Sequence, residues 1–282
     1  MDALRAAVIQ MNSRADRAAN LASAAELVAE AASRGARLIV LPEKFDLLGG
    51  PDVLSAGAQD DDGETPAFLS EQARRHGVWL VGGSYVARRA GRERHANTSV
   101  VVDPDGAIVA RYVKLHLFDV VVDGVAYRES EVEEPGDEVV AAAGPEPWRV
   151  GLSICYDVRF PELYRALSAD GASVLTVPAA FTATTGAAHW HVLLRARAIE
   201  NQAFVLAAGQ CGEWGPGRRS FGHSLIADPW GEILAECDGE SPGVAVADLD
   251  LARLREIRRT LPALDHRRPD LAGSRPQPVS YH

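Results

Sequence analysis

Short, mainly apolar runs bounded by turn residues constrain this chain most: Leu38–Leu41, Val150–Ile154, 173–178 and Ala203–Ala208. A run of this length with no regular polar alternation reads as a strand covered on both faces. Between the runs lie segments of helical spacing. In residues 16–33, Leu21, Ala24, Ala25, Val28, Ala31 and Ala32 recur at that spacing, with Gly35 as a stop. Further helices are expected at 66–76, 161–170, 188–201 and 251–259, and further strands at Leu4–Met11, 78–81 and 243–249. Two hairpins interrupt the alternation. One pairs Thr98–Asp103 with Ala107–Leu117 across Asp103-Pro-Asp-Gly106, and the other pairs Ser224–Asp228 with Glu232–Glu236 across Pro229-Trp-Gly231. Strand–helix alternation broken by hairpins implies an α/β fold of mixed sheets packed as layers.

The 282 residues could form one large domain or two small ones. No linker or composition break divides them, so a single domain, 1–282, is expected, with the Arg- and Pro-rich tail 262–282 docking at an oligomer interface. Residues 46–65, 118–147 and 180–186 read as loops, and loops at strand ends shape sites. Gly82-Gly83 suggests a bulge or a close backbone approach. No apolar run reaches membrane-spanning length, and the first ten residues read as a strand rather than a signal peptide. Three scattered cysteines, 155, 211 and 237, form neither a disulfide framework nor a spaced metal site, which points to a reducing, cytoplasmic setting. A net charge of −10 argues against nucleic acid as a partner.

Three apolar strands stop on a reactive side chain: Leu38–Leu41 before Glu43, Ile108–Val113 before Lys114, and Val150–Ile154 before Cys155. A cysteine at a strand-to-helix turn can be a nucleophile, but a buried apolar thiol fits that stretch alone equally well. A lone Glu or Lys at a strand end is usually a solvated terminus. Taken together, the three are chemically coherent. A thiol of reference pKa about 8.5 needs activation. An ammonium nearby favours the thiolate, a carboxylate can take the proton, and the ammonium with a backbone N–H can hold an oxyanion.

Leu-Pro-Glu43, Tyr112-Val-Lys114-Leu-His-Leu-Phe-Asp119 and Gly151-Leu-Ser-Ile-Cys155-Tyr-Asp-Val-Arg-Phe-Pro-Glu162 resemble, in order, the three signature segments of the nitrilase superfamily of carbon–nitrogen hydrolases. The resemblance continues through Thr184-Thr-Gly186, Arg195-Ala-Arg-Ala-Ile-Glu200, Asp228-Pro-Trp-Gly231 and His266-Arg-Arg-Pro-Asp-Leu271. It implies a four-layer α-β-β-α sandwich with two mixed sheets and a Glu–Lys–Cys triad. In that triad Glu43 is the base, Lys114 the oxyanion stabiliser and Cys155 the nucleophile. It also implies a second glutamate, Glu129, an oxyanion N–H from Tyr156, no cofactor, no metal, and a homodimer or higher homo-oligomer.

Cys155-Tyr-Asp-Val-Arg-Phe-Pro-Glu162 is similar to the amidase branch rather than to true nitrilases, which carry Trp-Glu after the cysteine. The implied reaction converts a small carboxylate-bearing amide to acid plus ammonia through a thioester. Ala208-Gly-Gln-Cys-Gly212 with Arg218-Arg-Ser-Phe-Gly-His-Ser224 resembles deaminated-glutathione amidases, and Leu117-Phe-Asp119 also resembles omega-amidases. Substrate contacts are expected from Phe118, Arg128, Ala180, Phe181 and Thr185. The carboxylate is expected to meet one of Arg128, Arg159, Arg195, Arg197, Arg218 or Arg219. Asp157, Arg159 and Glu162 are expected to hold the turn after the cysteine. His189 and His191, two apart on a helix, face different ways and do not form a metal pair. A non-catalytic scaffold is the contrasting reading, disfavoured because Glu43, Lys114, Glu129 and Cys155 occur together.

Overall fold

The structure is a computed structural model that describes residues 3–268; positions 269–282 of the expected docking tail lie outside the described residues. In chain order the first half runs β1 (Ala3–Gln10), α1 (Arg17–Ser33), β2 (Leu38–Val40), α2 (Pro51–Ala56), α3 (Glu64–His76), β3 (Trp79–Val81), β4 (Tyr85–Ala87), β5 (Ala96–Val102), β6 (Ile108–Val113), β7 (Asp119–Val122) and β8 (Val125–Arg128). The second half runs β9 (Ala141–Ala143), β10 (Arg149–Leu152), a 3-10 turn (Cys155–Arg159), α4 (Pro161–Ala169), β11 (Val174–Thr176), α5 (Ala183–Asn201), β12 (Phe204–Ala207), β13 (Cys211–Gly215), β14 (Arg218–Phe221), β15 (Leu225–Ala227), β16 (Ile233–Glu236), β17 (Gly243–Asp250) and α6 (Leu251–Thr260).

One sheet has the order β17-β1-β2-β3-β5-β4, with β6 also on β5; the other has β16-β15-β12-β11-β10-β9. Both are mixed. β1, β2 and β3 are parallel, as are β10, β11 and β12, and antiparallel strands flank each set. The apolar runs are continuous because both strand faces are covered. Along β1, Ala6 and Val8 face the layer shared with Val150, Leu152 and Val174 of the other sheet. Ala7 and Ile9 face Leu21, Ala24 and Val28 of α1. β2 repeats the pattern, with Leu38 and Val40 inward and Ile39 outward. Leu163 of α4 and Leu194 of α5 cover the second sheet. The layers are therefore α-β-β-α.

Three expectations about local structure change. The long segment 118–147 is not irregular throughout, because Asp123-Gly124, with φ of 49° and 77°, turns β7 into β8. An Asp-Gly pair with both φ positive is the favoured two-residue hairpin turn. The loop 46–65 contains α2, which opens on Pro51. Helix α5 starts at Ala183 rather than 188, so Thr184-Thr-Gly186 lies in its first turns. Gly186 is required there: a Cβ would sit 2.3 Å from Cγ of Phe221, so only glycine lets the helix close on β14. The close approach at Gly82-Gly83 is present. At Gly83, φ is 49° and a Cβ would lie 2.0 Å from the carbonyl oxygen of Pro42, the residue before Glu43.

Candidate active site

Glu43, Lys114 and Cys155 each follow a strand, and the layering brings them to one end of the sandwich. Lys114 is held by its own backbone, its N–H donating to Asn97 O and its carbonyl accepting from Gly136. Its ammonium lies 3.0 Å from Glu43 Oε1 and 2.8 Å from both oxygens of Glu129. Asn97 Nδ2 donates to Glu43 Oε1 at 2.9 Å, and the Ala180 N–H donates to Glu43 Oε2 at 2.7 Å. Gln210 Nε2 fixes the Glu43 carbonyl at 3.0 Å. The Phe118 N–H donates to Glu129 Oε2 at 2.7 Å. Lys114 is 1% exposed, Glu43 3% and Cys155 8%, so these charges meet away from water.

Cys155 is in the left-handed region, with φ 50°, a conformation that costs a non-glycine residue of order 1–3 kcal/mol. Asp157 holds it there. One carboxylate oxygen accepts from the Ile154 N–H at 2.8 Å and the Tyr112 hydroxyl at 2.7 Å. The other accepts from the His116 N–H and sits 2.7 Å from His116 Nδ1. The Cys155 N–H donates to Pro178 O at 2.8 Å.

The protonation pattern follows from burial and from the neighbouring charges. Burial first, and then the charge of Glu43, push the Cys155 thiol well above its ordinary value; Lys114 opposes them and loses. The balance favours the neutral thiol over a lysine-stabilised thiolate. The reason is that the Lys114 charge is already spent on two carboxylates. Burial alone would lower the pKa of Lys114, but Glu129 and Glu43 hold it well above its usual value.

The site also contains residues the sequence reading missed. Lys44, φ 51°, lies 2.8 Å from Glu133 and 3.5 Å from Glu129. Three carboxylates (Glu43, Glu129, Glu133) thus face two ammoniums (Lys44, Lys114), and a buried cluster is neutral only if one acid keeps its proton. Glu133 keeps it. Burial raises its pKa to about 8 against the pull of Lys44, and among the described residues no hydrogen-bond donor reaches either of its oxygens beyond the Lys44 ion pair. Burial would also raise Glu129, but Lys114 and Lys44 prevail and hold it well below the usual carboxylate range. Lys44 adjoins Glu43, and Glu133 lies in the acidic stretch after Glu129. That adjacency was the only signal in the sequence.

Above the cluster opens a cavity of about 340 Å³, lined in part by Glu43, Lys114, Glu129, Cys155 and Tyr156. Phe118, Arg128, Ala180, Phe181 and Thr185 all line it too. Trp214, Tyr127 and Leu48 were not expected there. Of the arginines, Arg128, Arg159 and Arg218 reach the wall. Arg159 sits 5.0 Å from the Phe181 ring centre, and Arg218 4.9 Å from that of Tyr127. The others are structural: Arg195 donates to Gly231 O, Arg197 is buried against Val158 O and Glu200, and Arg219 pairs with Glu240. Arg159 therefore does not simply hold the turn; it contacts His189 Nδ1 at 3.2 Å and faces the cavity, while Asp157 does the anchoring. His189 and His191 do point apart, as helix geometry requires, His191 going to Glu236.

The carbon–nitrogen hydrolase family model matches residues 5–259. The chain is 46% identical to the deaminated glutathione amidase of Synechocystis over 93% of its own length and 97% of that protein. It is 43% identical to the mouse deaminated glutathione amidase over 97% of this chain and 86% of that one. Its fold superposes with a TM-score of 0.81, at 29% identity and 95% coverage of both chains, on an amidase from Nesterenkonia sp. AN1 in which the acetamide moiety of fluoroacetamide is covalently added at the active-site cysteine. The alternating layers, the three strand ends and these matches agree: the chain belongs to the carbon–nitrogen hydrolase family of the nitrilase superfamily, and it is an amide-hydrolysing enzyme.

Proposed function

We propose that Cys155 is the nucleophile, Glu43 the proton carrier and Lys114 the oxyanion stabiliser of an amidase acting on a small carboxylate-bearing amide, best exemplified by deaminated glutathione. The observation that carries this reading is the convergence of Cys155, Glu43 and Lys114 on the floor of one cavity, with the ammonium clamped between the carboxylates of Glu43 and Glu129. Sγ adds to the amide carbonyl carbon as its proton passes to Glu43. The oxyanion meets Lys114 Nζ and the N–H of Tyr156, since the N–H of Cys155 is already committed to Pro178 O. Collapse breaks the C–N bond, and Glu43 gives its proton to the leaving nitrogen. That nitrogen leaves as ammonia from a primary amide or as an amine from a substituted one. Water then attacks the thioester, Glu43 takes the water's proton, and collapse breaks the C–S bond and returns the proton to sulfur. Glu129 keeps Lys114 charged and aimed.

Substrate recognition falls to Phe118, Ala180, Phe181 and Thr185 for shape. Arg159 or Arg218, with Arg128 beside them, takes the carboxylate. Neither Arg159 nor Arg218 is paired with an acid among the described residues, so each guanidinium can accept an anion. The deaminated-glutathione reading is supported by the names of the curated relatives. The omega-amidase reading retains the support of Leu117-Phe118-Asp119. The test is steady-state turnover of deaminated glutathione, α-ketoglutaramate and α-ketosuccinamate by the full chain and by Cys155→Ala. The expected result is the highest kcat/KM on deaminated glutathione and a loss of at least about a thousandfold in the variant. Preference for α-ketoglutaramate gives the substrate to the second reading, and a fully active Cys155→Ala overturns the mechanism.

A homodimer or larger assembly is part of the same proposal. Val192 (67% exposed), Ile199 (47%) and Trp230 (54%) form an apolar strip on α5 and the adjoining turn, where Ile199 abuts Gly231. A cytoplasmic setting is supported by three free cysteines, and no described helix is long and apolar enough to cross a membrane. The chain is taken as one catalytic unit because both sheets share a single apolar layer.

A further inference from the structure

A second cluster of chemistry-bearing side chains lies away from the cavity. His191 Nε2 and His223 Nδ1 approach the same oxygen, Oε1 of Glu236, at 2.8 and 2.7 Å, and the three ligand atoms lie within 4.8 Å of one another. They come from three separate elements, the middle of α5, the link between β14 and β15, and the end of β16, so no sequence spacing announces them. None of the three lines the cavity around Cys155.

Each donor is seated by independent contacts. His223 has φ 56°, and its carbonyl accepts from Trp190 Nε1 at 2.8 Å. Its ring lies so close to Gly239 that a Cβ there would be 2.5 Å from Nε2. Phe221 packs against both imidazoles, at 4.6 Å from His223 and 6.0 Å from His191 between ring centres. The Cys237 N–H, next to Glu236, is tied to Ser224 O. All three groups are part-exposed, so an ion can enter and one side of the site stays open to water.

We propose that His191, His223 and Glu236 bind a borderline divalent cation of the Zn²⁺ type. Two neutral imidazoles and a carboxylate match that donor preference, whereas Ca²⁺ and Mg²⁺ prefer an all-oxygen shell. With bonds of about 2.0–2.2 Å, tetrahedral donors sit a little over 3 Å apart, so the two nitrogen–oxygen distances of 2.8 and 2.7 Å open by roughly half an ångström to admit the ion between them. The ion displaces the imidazole protons now facing Glu236, and a water fills the fourth position. Bound there, it ties α5 to β16 and to the root of the hairpin β13–β14, which carries Trp214 and Arg218 of the cavity wall.

The test uses EDTA-dialysed full-length protein titrated with Zn²⁺ by calorimetry, and with Co²⁺ as a visible-absorption probe. The expected result is one site whose Co²⁺ spectrum lacks a thiolate charge-transfer band. The affinity is expected to fall at least about tenfold in His191→Ala and His223→Ala, and also in the isosteric Glu236→Gln. Zn²⁺ raises the thermal midpoint of the wild type but not of the variants. Cys155→Ser keeps the site, and the variants keep amidase turnover in EDTA. A thiolate band that disappears in Cys155→Ser overturns the proposal. Zn²⁺ affinity unchanged in Glu236→Gln and the histidine variants does so too.

Discussion

A buried thiol held well above its ordinary pKa must give up its proton as it reacts, and in the proposed reaction the group that takes it is Glu43, not Lys114. The sequence makes Glu43, Lys114 and Cys155 legible because each terminates an apolar run, and Glu129 because it belongs to a recognisable segment. It does not reveal Lys44, Glu133 or Asn97. Their importance is a matter of charge balance in a dry volume, and no spacing rule reports which acid lacks donors. Lys114 favours the thiolate only weakly for the same reason: two carboxylates already claim it. The balance has a measurable sign. Glu133 holds its proton up to about pH 8 when folded, whereas an unfolded glutamate releases it near pH 4.5. Its contribution to stability is therefore full below about pH 4.5 and is lost as pH rises toward 8, by at most about 1.4 kcal/mol per pH unit for one proton. Glu129, whose pKa is depressed, acts in the other window: its contribution is present above about pH 4.5 and lost in more acidic solution. Glu133→Gln is expected to flatten the wild-type decline between pH 5 and 8 in urea melts while leaving the acid limb in place. An unchanged slope there would show that Glu133 ionises normally.

At the scale of elements, the apolar runs and both expected hairpins were readable, because strand burial and turn chemistry are local properties. The β7–β8 hairpin was also readable from Val-Val-Val-Asp-Gly-Val, yet the length of segment 118–147 obscured it. The start of α5 was not readable. Thr184-Thr-Gly186 is poor helical sequence, and what makes it helical is a tertiary fit of Gly186 against Phe221. That fit is testable. Gly186→Ala gains intrinsic helix propensity, yet it is expected to lower stability by about 1–3 kcal/mol, because the new methyl meets a ring rooted in β14. It should also raise KM more than it lowers kcat, since β14 carries Arg218 and α5 carries Thr185. A stabilised variant with unchanged KM would mean that the ring yields freely.

At the scale of the whole molecule, the exposed strip of Val192, Ile199 and Trp230 is the surface on which the proposed self-association can be checked. Trp230→Asp with Val192→Asp is expected to shift light-scattering mass toward 30.2 kDa, the mass of one chain, at concentrations where the wild type is larger. Equal masses would place the contact elsewhere. The layered architecture was legible from the alternation of runs and helices. The meeting of His191, His223 and Glu236 was not, since it depends on how three separate elements settle against one another. The pairing of β1 with β17 has a consequence for biosynthesis. Residues 3–10 lie against residues 243–250 along their full length, so β1 leaves the ribosome long before its partner β17 does. Throughout that interval one rim of the sheet has its amides unpaired, an invitation to stray strands that chaperones must shield. A nascent chain stalled before Gly243 should therefore be sticky and protease-sensitive, while one released past Leu251 should close.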